Sequence, residues 1–271
     1  MGPWRASGRV LRWRTAWVTG ASSGIGRALA IELSRRGVRV AASARRADEL
    51  SALAAAQPGV TAFPLDVTDL AATKRTGDEI TARLGVIDLA IFNAGVGRTM
   101  GAHDYSAELA AKMMAVNYQG LANGIEAVLP AMLARRAGHI ALMASIAGYR
   151  GLPNAAAYSP SKAAAISLAE TLEPELDAAG INISVINPGF VATPMTDNAK
   201  HPLPYLISAD ETARRIVAGL DAKRFEVAFP WTMKTLAKLG RMLPYPAYFW
   251  FMSHQLQPRP ADDSSFTNKQ P

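Results

Sequence analysis

The chain of 271 residues contains no cysteine. Disulfides, thiolate metal sites and a cysteine nucleophile are therefore excluded, and the composition suits a reducing, cytoplasmic setting. No apolar run reaches about eighteen residues, so no segment reads as a membrane-spanning helix. The four histidines are scattered without ligand spacing, and no metal is expected. Acid is missing from the first fourteen residues, "MGPWRASGRVLRWR", which hold Arg5, Arg9, Arg12 and Arg14. Those four account for more than half of the formal charge of +7. The body is ordinary in charge, and no nucleic-acid partner is expected. The same arm lacks the apolar core of a signal peptide, and Ala6 stands where a myristoylation pattern needs Ser or Thr.

What is present is an alternation. "RTAWVTG" reads as a strand entering a glycine turn, and "GIGRALAIELSRRG" as a helix closed by Gly37. "VRVAASA", "VTAFPLDV" and "IDLAIFNAG" are further strands, each followed by a helical pattern, the last running from about Ser106 to Arg135. "GHIALMAS", "INISVINPG" and "FEVAFP" complete the series. Apolar strands alternating with helices predict an α/β fold: a Rossmann-type, doubly wound parallel β-sheet of about seven strands with helices on both faces. The chain divides into a basic arm (1–13), this domain (14–230), an amphipathic and aromatic extension (231–256) and a polar tail (257–271) read as disordered.

Ligands of such sheets bind beyond the carboxyl ends of the strands. The unusual residues follow strands: Gly20–Gly26, Asp66, Asn93–Gly95, Ser145 and Pro188–Gly189. In "TGASSGIG" (19–26), Gly20 permits a tight turn, Gly24 leaves room for a ligand beside the backbone, and Gly26 lets helix and strand pack closely. Backbone N–H groups of Ser22, Ser23, Ile25 and their neighbours at the helix start would face a phosphate. In "YSPSK", Tyr158 and Lys162 are four apart and share a helix face. Pro160 between them is tolerated only in a first turn.

The spacing Gly-x-x-x-Gly-x-Gly, together with "NAG" at 93–95, Ser145, "YSPSK" and "PGFVAT" at 188–193, resembles the short-chain dehydrogenase/reductase family. The resemblance spans about 14–230 with every landmark in order. It implies a nicotinamide cofactor and a catalytic set of Asn117, Ser145, Tyr158 and Lys162. Tyr158 would deliver a proton to a carbonyl oxygen as hydride arrives from the nicotinamide, and Lys162 would hold the nicotinamide ribose. Ser145 would hydrogen-bond the substrate oxygen, and Asn117 would help hold a water of a proton relay. A nearby lysine ammonium and an oxidised nicotinamide would lower the phenol's pKa. Asn117 has a plainer alternative, satisfying a helix kink. By the same resemblance Asp66 and Val67 lie beside the adenine, Asn93, Ala94 and Gly95 flank its ribose, and Pro188, Gly189, Val191 and Thr193 hold the carboxamide. Dimers or tetramers built on the helices carrying Asn117 and Tyr158 are expected on this ground.

After the second strand comes Ala44, then Arg45 and Arg46, where an acid would bind the free ribose of NAD. A 2′-phosphate could pair with Arg45 and the Ser22 hydroxyl, which predicts NADP(H) over NAD(H). The alternative is that these arginines only solvate a helix start. The reading is an NADPH-dependent reductase of a ketone or aldehyde, or the reverse on an alcohol. Its rival is a cofactor-binding sensor without turnover. Tyr149, Leu152, Met195 and Leu206 are expected as apolar pocket walls beside Ser145 and Tyr158, hence a lipophilic substrate.

The extension departs from the many members that end soon after the last strand. On a helical wheel Leu236, Leu239 and Leu243 fall together, opposite Lys234, Lys238 and Arg241. The apolar face is expected to cover the pocket or meet another subunit, with the lysines facing water. The alternative is peripheral membrane contact.

Overall fold

Five consecutive buried residues make Thr15–Thr19 (β1) a strand covered on both faces, the pattern of a central parallel strand. The computed structural model describes residues 11–197 and 203–254. The first ten residues of the basic arm, residues 198–202 of the expected pocket segment, and the polar tail lie outside the described residues. After β1 come α1 (Gly24–Arg35), β2 (Arg39–Ala44), α2 (Ala47–Ala56), β3 (Val60–Pro64), α3 (Leu70–Leu84) and β4 (Leu89–Phe92). Then follow α4 (Ala107–Met114), a π-helical turn (Ala115–Gln119), α5 (Gly120–Arg135) and β5 (Gly138–Met143). A 3₁₀ turn (Ile146–Gly148), α6 (Tyr158–Ala178), β6 (Ile181–Pro188) and two-residue strands β7 (Val191–Ala192) and β8 (Ile207–Ser208) come next. The series closes with α7 (Ala209–Asp221), β9 (Glu226–Phe229), α8 (Trp231–Met242) and α9 (Tyr245–Ser253).

The main sheet is parallel, seven strands in the order β3-β2-β1-β4-β5-β6-β9. The strand order reverses at β1 and β4, which opens a crevice where a ligand can enter. The two faces bury separate apolar clusters, one with Leu29, Leu50 and Ile216 from α1, α2 and α7, the other with Ile80, Ile125 and Ile166 from α3, α5 and α6. Trp17 on β1 belongs to the second and packs edge-on to Phe92 at 5.7 Å. Its indole N–H, which could not be buried unpaired, donates to Ser43 Oγ at 2.9 Å. Truncating such a residue to alanine costs about 3–5 kcal/mol.

Two expectations close well. Gly37 ends α1 at φ +82° with its N–H donating to the Ser34 carbonyl, a left-handed stop open to glycine. Pro160 sits in the first turn of α6, where its missing N–H costs nothing.

The extension forms helices, but α8 packs the other way round from expectation. Lys234 and Lys238 face the body, Nζ lying 2.9 and 2.6 Å from Glu226 Oε2. Leu236, Leu239 and Leu243 face out. A periodicity argument assigns the apolar stripe inward; here an ion pair with a carboxylate on the edge strand decides the rotation instead. The apolar face therefore does not cover the pocket.

Candidate active site

The glycine turn is built from conformations that side chains resist. Gly20 and Gly24 have φ of +69° and +53°. A Cβ on Gly20 would lie 2.8 Å from Ala94 Cα, and one on Gly24 would lie 3.1 Å from Thr193 Cγ2. A Cβ on Gly26 would run into the Gly20 carbonyl oxygen, so glycine lets α1 approach the strand. Ile25 turns down onto the apolar cluster of that face. Ser22 is buried and Ser23 precedes the first turn of α1.

Asn93 is clamped at the end of β4. Its backbone N–H donates to Thr19 Oγ1 at 2.9 Å and its side-chain Nδ2 to the Thr19 carbonyl at 2.9 Å. Ala94 N also reaches Thr19 Oγ1, at 3.1 Å. Asn93 thus stitches β1 to β4 and shapes the rim between them. Asp66 Oδ1 accepts from the backbone N–H and hydroxyl of Thr68 at 3.0 and 2.8 Å. The backbone bond, chiefly, holds its carboxyl below the usual range, with Arg45 adding to the effect. Val67 packs against Gly120, and its carbonyl accepts from Asn123 Nδ2 at 2.8 Å.

Asn117 lies inside the π-helical turn, fully buried. Its Oδ1 accepts from Val96 N at 2.8 Å, and its Nδ2 donates to the Val96 carbonyl and to Ser161 Oγ, each at 2.9 Å. Both sides of the amide are satisfied, and the irregular turn aims it at the loop after β4.

Ser145 follows β5 and caps the 3₁₀ turn, its Oγ accepting from Ala147 N at 3.2 Å. Its hydroxyl reaches the Pro188 carbonyl at 3.4 Å and lies near enough to the Tyr158 phenol to lower its pKa. Burial holds the Tyr158 phenol above its ordinary range, and Ser145 offsets part of that. The lowering expected from Lys162 is not what prevails: the Lys162 Nζ donates to the Met143 carbonyl at 2.9 Å and lies 5.7 Å from the Tyr158 ring centre. Burial pushes the Lys162 ammonium down to about 8. A Cβ on Gly95 would stand 3.3 Å from Asn117 Oδ1 and 3.4 Å from Lys162 Nζ, so the NAG segment passes directly over both.

Pro188 ends β6 in register with Phe229 of β9. Gly189 N donates to the Phe229 carbonyl at 2.8 Å. Val191 pairs with Ile207 between β7 and β8. Thr193 N donates to Thr196 Oγ1 at 3.1 Å, bringing the Thr193 side chain over Gly24. Glycine cradle, Asn93–Gly95 and Thr193 therefore surround one groove at the strand ends.

A family model described as short chain dehydrogenase matches residues 14–203. The chain belongs to the short-chain dehydrogenase family. A Myxococcus xanthus protein described as an uncharacterized oxidoreductase is 40% identical over 242 residues, covering 88% of this chain and 96% of that one. The solved short-chain dehydrogenase from Streptomyces avermitilis has a TM-score of 0.74 at 25% identity, over 83% of this chain and 92% of that one. An alcohol dehydrogenase from the archaeon Thermococcus sibiricus, solved with 5-hydroxy-NADP, has a TM-score of 0.73 at 26% identity, over 80% and 96%. This short-chain dehydrogenase is an oxidoreductase by family, and the family binds a nicotinamide cofactor. The groove fits one: positive-φ glycines keep its phosphate end free of side chains, and a buried lysine faces its other end.

Two expectations about this dehydrogenase change. Arg46, not Arg45, meets the glycine turn, with Nη2 2.9 Å from Ser22 Oγ and 2.7 Å from Ser23 Oγ. Arg46 immediately precedes α2, whose start sets its direction. Tyr149 lines a cavity with Arg150, Leu243 and Tyr245 but is not a purely apolar wall. It is buried, and its hydroxyl donates to Glu226 Oε1 at 2.6 Å; burial and that carboxylate push its pKa well up. Leu152, Met195 and Leu206 remain exposed. Met195 reaches the phenol's neighbourhood, since Gly97 has Met195 Sδ on one side and Tyr158 Cδ2 on the other, 2.9 and 3.5 Å from its Cβ position.

Sequence reasoning passed over Thr19, Val96, Gly97 and Ser161. Ser161 was visible between Tyr158 and Lys162, but nothing in its spacing announces a partner 44 residues earlier.

Proposed function

We propose that this dehydrogenase reduces a ketone or aldehyde to an alcohol, reversibly, with NADPH as reductant and an apolar small molecule as substrate. The observation that carries the reading is the convergence of Ser145, Tyr158 and Lys162 beside the glycine cradle. Tyr158 donates the proton to the carbonyl oxygen. Its raised pKa supports this role, because the phenol is kept in the form that has a proton to give. Ser145 hydrogen-bonds the same oxygen and fixes its position. Lys162 holds the nicotinamide ribose, and Asn117 holds the loop over it. The cofactor, when bound, supplies the hydride. Gly20–Gly26 takes its pyrophosphate, Asp66, Val67 and Asn93–Gly95 its adenosine, and Pro188, Gly189, Val191 and Thr193 its carboxamide.

The NADPH choice is supported by Arg46 on Ser22 and Ser23 and by Ala44 where a ribose-binding acid would stand. The bound 5-hydroxy-NADP of the Thermococcus relative points the same way. Exposed Leu152, Met195 and Leu206 support an apolar substrate. A homodimer or homotetramer on α5 and α6 follows from the family resemblance, and a cytoplasmic setting from the absence of cysteine.

The test is NADPH oxidation against carbonyls running from small aldehydes to bulky apolar ketones, with NADH and Tyr158→Phe in parallel. Turnover of bulky ketones, weak with NADH and lost by about 10²–10⁴ in Tyr158→Phe, is expected. No turnover across that range, in protein that binds NADPH, would favour the sensor instead.

A further inference from the structure

The reversed packing of α8 leaves an apolar surface without a partner among the described residues. With Lys234 and Lys238 drawn inward to Glu226, Trp231, Leu236, Leu239 and Met242 turn outward, 74%, 65%, 58% and 81% exposed. Helix α9 continues the surface. Its inner side is held by buried Tyr248, whose hydroxyl donates to the Gly151 carbonyl at 2.6 Å. Phe249 and Trp250 are left 60% and 66% exposed. The inner contacts fix which face shows, so this is a built surface rather than a loosely placed stripe.

Its position is also fixed. Helix α8 starts just beyond β9, whose last residue is in register with Pro188 at the carboxyl rim. Its far end is bound by Arg150, from the loop between Ser145 and Tyr158. The Arg150 Nη1 donates to the carbonyls of Gly240 and Leu243 at 2.5 and 2.7 Å. The apolar surface therefore borders the mouth of the site, where Leu152 and Met195 are exposed.

The charge around it is net positive. Among the described residues of α8 and α9 the charged groups are Lys234, Lys238 and Arg241, and the two lysines share the single carboxylate of Glu226, so the stretch stays net positive. A two-fold contact with a second copy would set this net-positive stretch against itself, its one nearby acid, Glu226, being already shared by two lysines. An anionic lipid surface answers it, and Trp beside aliphatic residues is what a bilayer interface accepts. We propose that the outer face of α8 and α9 lies on an anionic bilayer, turning the mouth of the site toward the lipid. A substrate dissolved in the membrane would then reach Tyr158 with little passage through water.

The test is co-sedimentation of the full chain with vesicles of phosphatidylcholine alone and of equal phosphatidylcholine and phosphatidylglycerol. Binding is read without turnover, so its result is independent of the reductase reading. The wild type is expected to pellet with the mixed vesicles and far less with phosphatidylcholine alone. Leu236→Ser, Leu239→Ser and Met242→Ser together should weaken partition at least about tenfold. Rising salt should release the unmutated protein, a reading that needs no variant. Failure of the wild type to pellet with mixed vesicles overturns the proposal, as does equal pelleting of the triple variant. So does a triple variant that turns an oligomer into a monomer while neither protein binds vesicles, which would assign the face to a second copy.

Discussion

Asn117 donates to Ser161 Oγ at 2.9 Å, joining the π-helical turn to the residue that stands between Tyr158 and Lys162. The same amide closes on both backbone groups of Val96. One side chain thus holds both the loop over the site and the helix that carries Tyr158.

Asn117→Ala would strip partners from the Val96 N–H and carbonyl in a buried place, at about 1–3 kcal/mol for each group left unpaired. Urea unfolding should show a clear loss of stability. Cofactor affinity should fall as well, because Gly95 and Val96 lose their anchor; retained affinity would argue that the loop is held by something else.

Arg46→Ala should raise the KM for NADPH by about tenfold or more, the scale of one hydrogen bond to a charged group. The KM for NADH should barely move. Arg45→Ala, removed from Ser22 and Ser23, should have the smaller effect. Equal effects of the two substitutions would return Arg45 to the site.

Glu226 fastens α8 to the sheet. Burial alone would raise its pKa, but hydrogen bonds from Lys238, Tyr149 and Lys234 outweigh it and hold the group at about 2. The folded value lies below the ordinary 4.5. Its stabilisation is therefore complete above pH 4.5 and is lost as pH falls through about 2. Glu226→Gln should start less stable at neutral pH and lose less on acidification, measured as the unfolding midpoint across that window.

Lys162 behaves oppositely. With its pKa lowered from 10.5 to about 8 by burial, the unfolded chain binds the extra proton between those values. The cost of burying the ammonium is complete below pH 8 and is relieved as pH approaches 10.5. In the cofactor-free protein, wild-type stability should rise relative to Lys162→Met across that range. A flat difference would mean that Lys162 is well solvated.

The sheet was legible because buried parallel strands are apolar at nearly every position, and the glycine and proline stops fell where backbone geometry demands them. Tyr158 and Lys162 were legible as a pair because they stand four apart on one helix, whereas Asn117 and Ser145, on other elements, entered through the family resemblance. Contacts between distant elements were not legible. Arg45 and Arg46 are adjacent, and only the path of the chain into α2 decides which meets Ser22. Tyr149 reads as an apolar wall until Glu226, 77 residues later, takes its hydroxyl. The rotation of α8 hangs on that same carboxylate, a single charge that hydrophobic periodicity does not register. The raised Tyr158 pKa likewise depends on how much water the folded chain removes.

Arg150 binds carbonyls at the end of α8 and stacks on Tyr248 at 3.8 Å, while Tyr248 returns a bond to Gly151. Those reciprocal ties make residues 240–248 and the segment after Ser145 a shared opening unit. Their amides should exchange with solvent together, and the C-terminal helices cannot lift away without loosening the segment that leads to Tyr158. A protease cut or fusion in this region would then be felt at the active site first, well before the sheet.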